Sequence, residues 1–226
     1  MPRGETEIER KNGHTYMKNK GRFIAFEGCE GVGKSTQMRL LSEYLTKRGI
    51  AHILTREPGG GEISEAIRKI ILNGKFTSMT DECEALLYAA ARVQHLADTV
   101  IPALERGEIV LCDRYIFSSL AYQGGGRGLS RKFLLEINSY AAENYMPDIT
   151  LFLDLPPARA FERKHGADKD DRIEQAGAAF HCKVYETYKE LLNEFPGKLV
   201  AVDCSGEKQE TQAKIRALLM EKGFID

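Results

Sequence analysis

Short apolar runs at residues 23–26, 53–55, 109–112, 149–153 and 199–202 alternate with longer stretches whose apolar positions recur every three or four residues. The runs are bounded by glycine, proline or charge, as buried strands are. Ile109-Val110-Leu111-Cys112 has no polar position, which suits a central parallel strand. Between the runs, Met38, Leu41, Tyr44 and Leu45 mark a helix that stops at Gly49. Ile63, Ile67, Ile70 and Ile71 mark another over 62–72, stopped by Asn73-Gly74. Thr80 is placed to cap a longer helix, whose dipole Asp81, Glu82 and Glu84 complement and which Pro102 either kinks or restarts. Ser130 caps a helix predicted to run through Phe133, Leu134, Ile137 and Tyr140, and a last helix covers roughly 208–220. Strands and helices alternating at these lengths predict right-handed βαβ crossovers, and so an α/β fold with a five-stranded parallel sheet flanked by helices.

Composition narrows this picture without changing it. A chain of 226 residues, 42% of them hydrophobic, suits one well-packed domain over residues 21–226, preceded by a polar stretch (1–20) that reads as a flexible extension. Lys and Arg total 32 against 33 for Asp and Glu, so no global basic field points to nucleic acid, and any anion site must be local. The five cysteines are scattered with no C-x-x-C pair, which argues for reduced thiols in a cytoplasmic protein over a disulfide framework or zinc site. No apolar run is long enough to span a membrane.

The first apolar run empties into Gly28-Cys29-Glu30-Gly31-Val32-Gly33-Lys34-Ser35-Thr36. Gly28, Gly33, Lys34 and Ser35 fit the G-x-x-x-x-G-K-[ST] pattern. In it, glycines let backbone N–H groups wrap phosphate oxygens, the lysine reaches the β and γ phosphates, and the hydroxyl ligates magnesium. The bland alternative, a glycine-rich turn with a surface lysine, does not account for the strand before it and the helix after it. A nucleoside triphosphate site is therefore expected, with residues 28–36 holding its phosphates.

Other candidates cluster where strands end. Arg56-Glu57-Pro58-Gly59-Gly60-Gly61 follows the second run and is either a site edge or a solvated turn. Asp113-Arg114 follows the third, where an acidic residue can position magnesium or its water and an arginine can hold a phosphate; a buried structural pair is the alternative. Tyr88 and Arg92, four residues apart, share a helical face on which a ring could stack on a base beside a guanidinium. A core tyrosine with a surface salt bridge reads equally well, and His95 reads as packed. Gly124-Gly125-Gly126-Arg127-Gly128 is a close-backbone surface or a flexible loop. Residues 159–172, carrying Arg159, Arg163 and a dense polar bend to Arg172, form either a lid or a static wet hairpin. No Asn-Lys-x-Asp run is present to read guanine, so phosphoryl transfer between two small molecules is favoured over GTPase or motor chemistry.

Taken together and in order, the cradle, Thr55-Arg56-Glu57-Pro58-Gly59-Gly60, Tyr88-Ala89-Ala90-Ala91-Arg92, Asp113-Arg114-Tyr115, Ala121-Tyr122-Gln123-Gly124-Gly125-Gly126-Arg127-Gly128 and Asp171-Arg172-Ile173-Glu174 resemble the bacterial type of thymidylate kinase, a P-loop nucleoside monophosphate kinase family. The similarity runs from about Gly21 to the C-terminus. It implies a P-loop three-layer sandwich with a short lid, a homodimer, and magnesium-dependent phosphoryl transfer from ATP to dTMP in nucleotide biosynthesis. It further implies that Tyr88 stacks on thymine and Arg92 contacts the base, and that Glu30, Arg56 and Arg114 frame the monophosphate. Tyr122 would crowd a 2′-hydroxyl, with Ser119 and Gln123 completing the acceptor site. Lys34, Arg114, Arg163 and Glu30 would carry catalysis, and Ser35, Asp113 and, through water, Glu30 would meet the metal. The chain has Gly31 where one branch of the family has an arginine, and Arg163 is followed by Lys164-His165-Gly166 where further lid arginines are expected. Lys164 or Lys169 would then add lid charge, and Arg172 would pair with Asp171 or Glu174 or face adenine. The alternatives are a kinase of the same fold for another nucleoside monophosphate or a nucleoside, and a nucleotide-binding regulator.

Overall fold

A computed structural model describes residues 8–11, 14–17, 21–164 and 171–225. In the leading segment, β1 (Ile8–Lys11) and β2 (His14–Met17) pair as an antiparallel hairpin separate from the main sheet. That sheet is built from β3 (Arg22–Glu27), β4 (His52–Arg56), β5 (Ile109–Asp113), β6 (Ile149–Asp154) and β7 (Leu199–Asp203). All its pairings are parallel and its order is β4-β5-β3-β6-β7. The five apolar runs thus all become strands. The run with the cradle becomes the middle strand, Phe23 to Phe26 being at most 2% exposed, while β4 at one edge is half-open. The register sets Phe26 and Arg56 opposite Asp113, so the carboxyl ends of β3, β4 and β5 open onto one crevice.

The flanking helices are α1 (Lys34–Lys47), α2 (Glu62–Leu72), α3 (Asp81–His95), α4 (Ile101–Glu105), α5 (Ile116–Ser119), α6 (Arg131–Ile137), α7 (Ser139–Asn144), α8 (Pro157–Lys164), α9 (Ala178–Glu194) and α10 (Lys208–Glu221). Met38, Leu41 and Leu45 of α1 are buried, each contributing roughly 1.5–3 kcal/mol, and they fix the cradle's helix against β3, β4 and β5. Thr80 Oγ1 accepts from the Cys83 N–H (3.2 Å) and Ser130 Oγ from the Phe133 N–H (3.2 Å), as their helix-capping positions predict. Pro102 has no N–H to give. The chain before it widens into π-type turns at Leu96–Val100, and α4 takes the proline into its first turn. The single helix expected after Ser130 is instead two, because Asn138 leaves helical geometry and turns its amide inward: Nδ2 donates to Leu134 O (2.8 Å) and Oδ1 accepts from Arg92.

Candidate active site

β3 delivers the chain into Gly28, Gly31 and Gly33, whose φ angles of 138°, 77° and 99° lie in the region that side chains disfavour. A Cβ on Gly28 would stand 3.0 Å from the Leu153 carbonyl, a tighter contact than side chains ordinarily make. α1 begins with no side-chain cap and no acidic residue in its first turn, leaving its N–H groups and dipole for an anion. Lys34 is buried, and its ammonium donates to the carbonyls of Gly28 (3.3 Å) and Cys29 (3.1 Å), inside the loop it serves. Burial pushes the Cys29 thiol up to about 12, so it stays a neutral part of the wall.

Ser35 Oγ donates to Asp113 Oδ2 (3.4 Å), while Asp113 Oδ1 is buried with no hydrogen-bond partner. Hard oxygens with one carboxylate atom left open fit magnesium, which takes one or two protein ligands and fills its octahedron with phosphate and water. Among the described residues no group of three or more His, Cys, Asp or Glu could hold a metal on its own.

Arg114 is the one non-glycine with positive φ (72°) among the described residues. Its N–H donates to Phe26 O (2.8 Å), and its guanidinium lies 4.7 Å from the Tyr122 ring centroid. Nη1 donates to Gly28 O (3.0 Å) and Ser118 Oγ (3.2 Å), and Nη2 to Glu30 Oε1 (2.5 Å). A cavity with about 480 Å³ of empty space lies to one side, lined by Tyr88, Ser119, Tyr122 and Gln123. A larger one of about 1100 Å³ lies over the cradle, lined by Lys34, Ser35, Arg56 and Asp113. Glu30, Glu57, Arg68 and Arg114 line both, so the two cavities meet there. Arg68, unremarked in the sequence, is fixed by donating to Pro58 O (3.0 Å); its signal was a basic residue on the helix that follows the Pro-Gly-Gly turn.

Tyr88 is half-buried in the smaller cavity, its phenol pushed up by burial and by Glu84. Tyr122 is buried, with its hydroxyl unpartnered. Arg92 sits elsewhere: it is 2% exposed, lines neither cavity, and packs its guanidinium 5.2 Å from the Tyr115 ring centroid. Nε donates to Glu57 Oε2 (2.6 Å), Nη1 to Ser119 Oγ (3.1 Å) and Asn138 Oδ1, and Nη2 to Tyr115 O (3.1 Å). The surface salt bridge offered as the alternative is therefore a buried one. His95 is packed, as read, between Glu57 Oε1 (2.9 Å from Nδ1) and Thr55 Oγ1 (2.6 Å from Nε2). Arg56 pairs with Glu65 (2.8 Å) at the rim of the larger cavity.

The lid candidates divide. Arg163 is exposed and donates to the carbonyls of Cys204 (2.9 Å), Ser205 (3.3 Å) and Gly206 (3.3 Å), on the loop after β7, and lines neither cavity. His165, Gly166 and Lys169 lie outside the described residues, as does the side chain of Lys164. Among the described residues Arg172 pairs with Glu84 rather than with Asp171 or Glu174: its guanidinium donates to Glu84 Oε2 (2.5 Å) and to Ile71 O (3.2 Å). Glu84, read only as a complement to a helix dipole, is a fully buried hub that also accepts from Gln123 Nε2 (2.8 Å) and Arg127 Nη2 (3.0 Å). That hub holds Arg172, whose neighbours Asp171, Ile173 and Glu174 wall the smaller cavity.

A parallel sheet with a phosphate cradle at its middle strand, a magnesium-fitting Ser–Asp pair and an abutting second cavity define a P-loop protein built to bring a nucleotide to a second ligand. Residues 26–215 match the family described as thymidylate kinase. The chain is 43% identical over 205 residues to a thymidylate kinase of Geobacillus sp. (strain WCH70), covering 90% of this chain and 98% of that protein. It is 44% identical to one from Bacillus licheniformis over 89% of this chain and 96% of the relative, and 42% identical to one from Clostridium novyi over 89% and 99%. The chain belongs to the thymidylate kinase family.

Proposed function

We propose that this chain is a thymidylate kinase, moving the γ-phosphoryl group of ATP to dTMP with magnesium to give dTDP and ADP. What carries the reading is the meeting of the cradle cavity and the smaller cavity at Glu30 and Arg114, in a chain of this family. A monophosphate, with its second pKa near 6, is already an anionic nucleophile near neutral pH, so the reaction needs alignment and charge more than a base. Lys34 and the cradle N–H groups hold the donor phosphates, Arg114 and Arg56 the acceptor phosphate, and bound magnesium supplies further charge neutralisation on the donor. Tyr88 offers its ring to the base. Tyr122, pressed on Arg114, restricts the sugar. Arg92 acts from behind this wall by fixing Glu57 and Ser119, both of which line the acceptor cavity.

Offering dTMP, dUMP, dCMP, UMP and thymidine separately with ATP and magnesium tests the assignment. ADP production is expected to be highest with dTMP. Highest turnover on another acceptor would keep the fold and cradle and overturn the base assignment.

For the lid, Arg163 is our candidate for charge on the transferring phosphoryl group, its contacts to the 204–206 carbonyls being released on closure. Arg163→Ala is expected to lower kcat by on the order of 10²-fold with little change in KM for dTMP. An unchanged kcat would move that role to Lys164 or Lys169.

A homodimer is supported by Ile63 and Ile70 on α2 and by Leu86 and Val93 on α3. Each pair is seven residues apart, hence on one side of its helix, and all four are at least 41% exposed on helices that pack together. A cytoplasmic setting is supported by five unpaired cysteines.

A further inference from the structure

β3 ends on a charge that nothing in the phosphate-cradle pattern requires. Glu27 is wholly buried beneath the loop and lines neither cavity. Its carboxylate accepts four hydrogen bonds. Oε1 takes the N–H groups of Tyr115 (2.9 Å) and Ser118 (3.0 Å), and Oε2 takes the hydroxyls of Ser118 (2.5 Å) and Tyr188 (2.7 Å). Four donors suit the ionised form. Burial nevertheless pushes this carboxyl above the usual range, with Arg114 and the donors acting against it. A charge kept in such a place costs stability, so its value lies in what it organises.

Its contacts to Tyr115 and Ser118 lead to Arg114. Tyr115 N–H belongs to the peptide that follows Arg114 and leaves its left-handed conformation. Ser118 Oγ accepts from Arg114 Nη1 (3.2 Å) while donating to Glu27, so one hydroxyl joins carboxylate to guanidinium. Tyr188, on α9 and stacked 4.8 Å from the Phe152 ring, holds the same carboxylate from the far side. On the other edge of Arg114 stand Gly28 O of the cradle and Glu30, where the two cavities meet.

We propose that Glu27 is a positioning residue for phosphoryl transfer: its carboxylate locks the 114–118 turn and, through the Ser118 hydroxyl, aims Arg114 at the junction of the donor and acceptor cavities. This inference rests on the kinase reading above. It gives Glu27 no contact with substrate.

Glu27→Gln tests it at constant size. The amide oxygen can keep the two N–H groups, and the Ser118 and Tyr188 hydroxyls can turn to accept from its NH₂, so the fold is expected to hold with an undiminished Tm near neutral pH. What is lost is the charge and the Ser118 orientation. Turnover of dTMP should fall about 10- to 100-fold with KM for ATP unchanged. In an Arg114→Ala background the same substitution should cost less than about threefold, since the effect runs through Arg114. If Glu27→Gln does not fold, Ser118→Ala cuts the same link without disturbing a buried charge and should show the same coupling to Arg114. Wild-type kinetics in the variant, or an equal loss with and without Arg114, would overturn the proposal. A readout that needs no turnover separates it from the kinase reading. The guanidinium ¹⁵N signals of Arg114, assigned by their loss in Arg114→Lys, should be separately resolved in the wild type and averaged by rotation in Glu27→Gln. If the wild type phosphorylates none of the acceptors the kinase reading falls, and these signals still decide whether Glu27 holds Arg114. Unchanged signals would overturn it.

Discussion

Lys34→Ala is expected to lower ATP- and dTMP-dependent ADP production by on the order of 10²–10³-fold or more while leaving the protein folded. Lys34 is 6% exposed and its ammonium already sits within the loop, held by two carbonyls of the cradle, so it needs little rearrangement to meet phosphate oxygens. A fixed charge in a site that excludes water acts through a lower dielectric than a surface lysine does, which is why its loss should be felt in turnover. Stability has little stake in it. α1 is fixed by Met38, Leu41 and Leu45, which Lys34→Ala does not touch, and the loop's turns by the φ angles of its glycines, which do not depend on the ammonium. Thermal unfolding of the variant should therefore stay within a few degrees of wild type while kcat collapses. A variant keeping a tenth or more of wild-type turnover would remove Lys34 from the proposed machinery.

How much of this could be read in the chain depended on how local each interaction is. The strands were legible because a parallel strand buried on both faces must be apolar along its length, and the cradle because its glycines, lysine and serine act within one turn of sequence. Strand ends place Arg114 at the site and the family resemblance sets Glu30 beside it; the register of β3 against β5 brings the two together. The buried pairings of Glu27, Glu57 and Glu84 are not legible in the sequence, because an acidic residue in a short window looks solvated or dipole-matched. Their partners stand 161, 35 and 88 positions away, at Tyr188, Arg92 and Arg172. Arg163 and Arg172 share this character: their side-chain type announced charge, but their contacts, at 204–206 and Glu84, come from elements that only the fold brings near.

Arg92→Ala is expected to destabilise the protein by roughly 3–5 kcal/mol, a fall in Tm of roughly 6–20 °C for a chain of this size. The guanidinium and its partner carboxylate are 2% and 3% exposed, so the alanine leaves Glu57 as a buried anion whose remaining side-chain partner is His95. Ser119, Asn138 and the Tyr115 carbonyl lose a donor in the same step, and the Tyr115 ring loses the cation packed on it. The loss should carry into function because Glu57 and Ser119 wall the acceptor cavity, so KM for dTMP should rise in the fraction that stays folded. A double substitution separates the causes. Arg92→Met with Glu57→Gln removes both charges, and should recover part of the stability lost in Arg92→Ala because no uncompensated charge stays buried. Thermal denaturation of the two variants beside dTMP titrations decides the matter: an Arg92→Ala protein with wild-type Tm and selectively weakened dTMP binding would make the guanidinium a direct base contact rather than the brace behind Glu57 and Ser119.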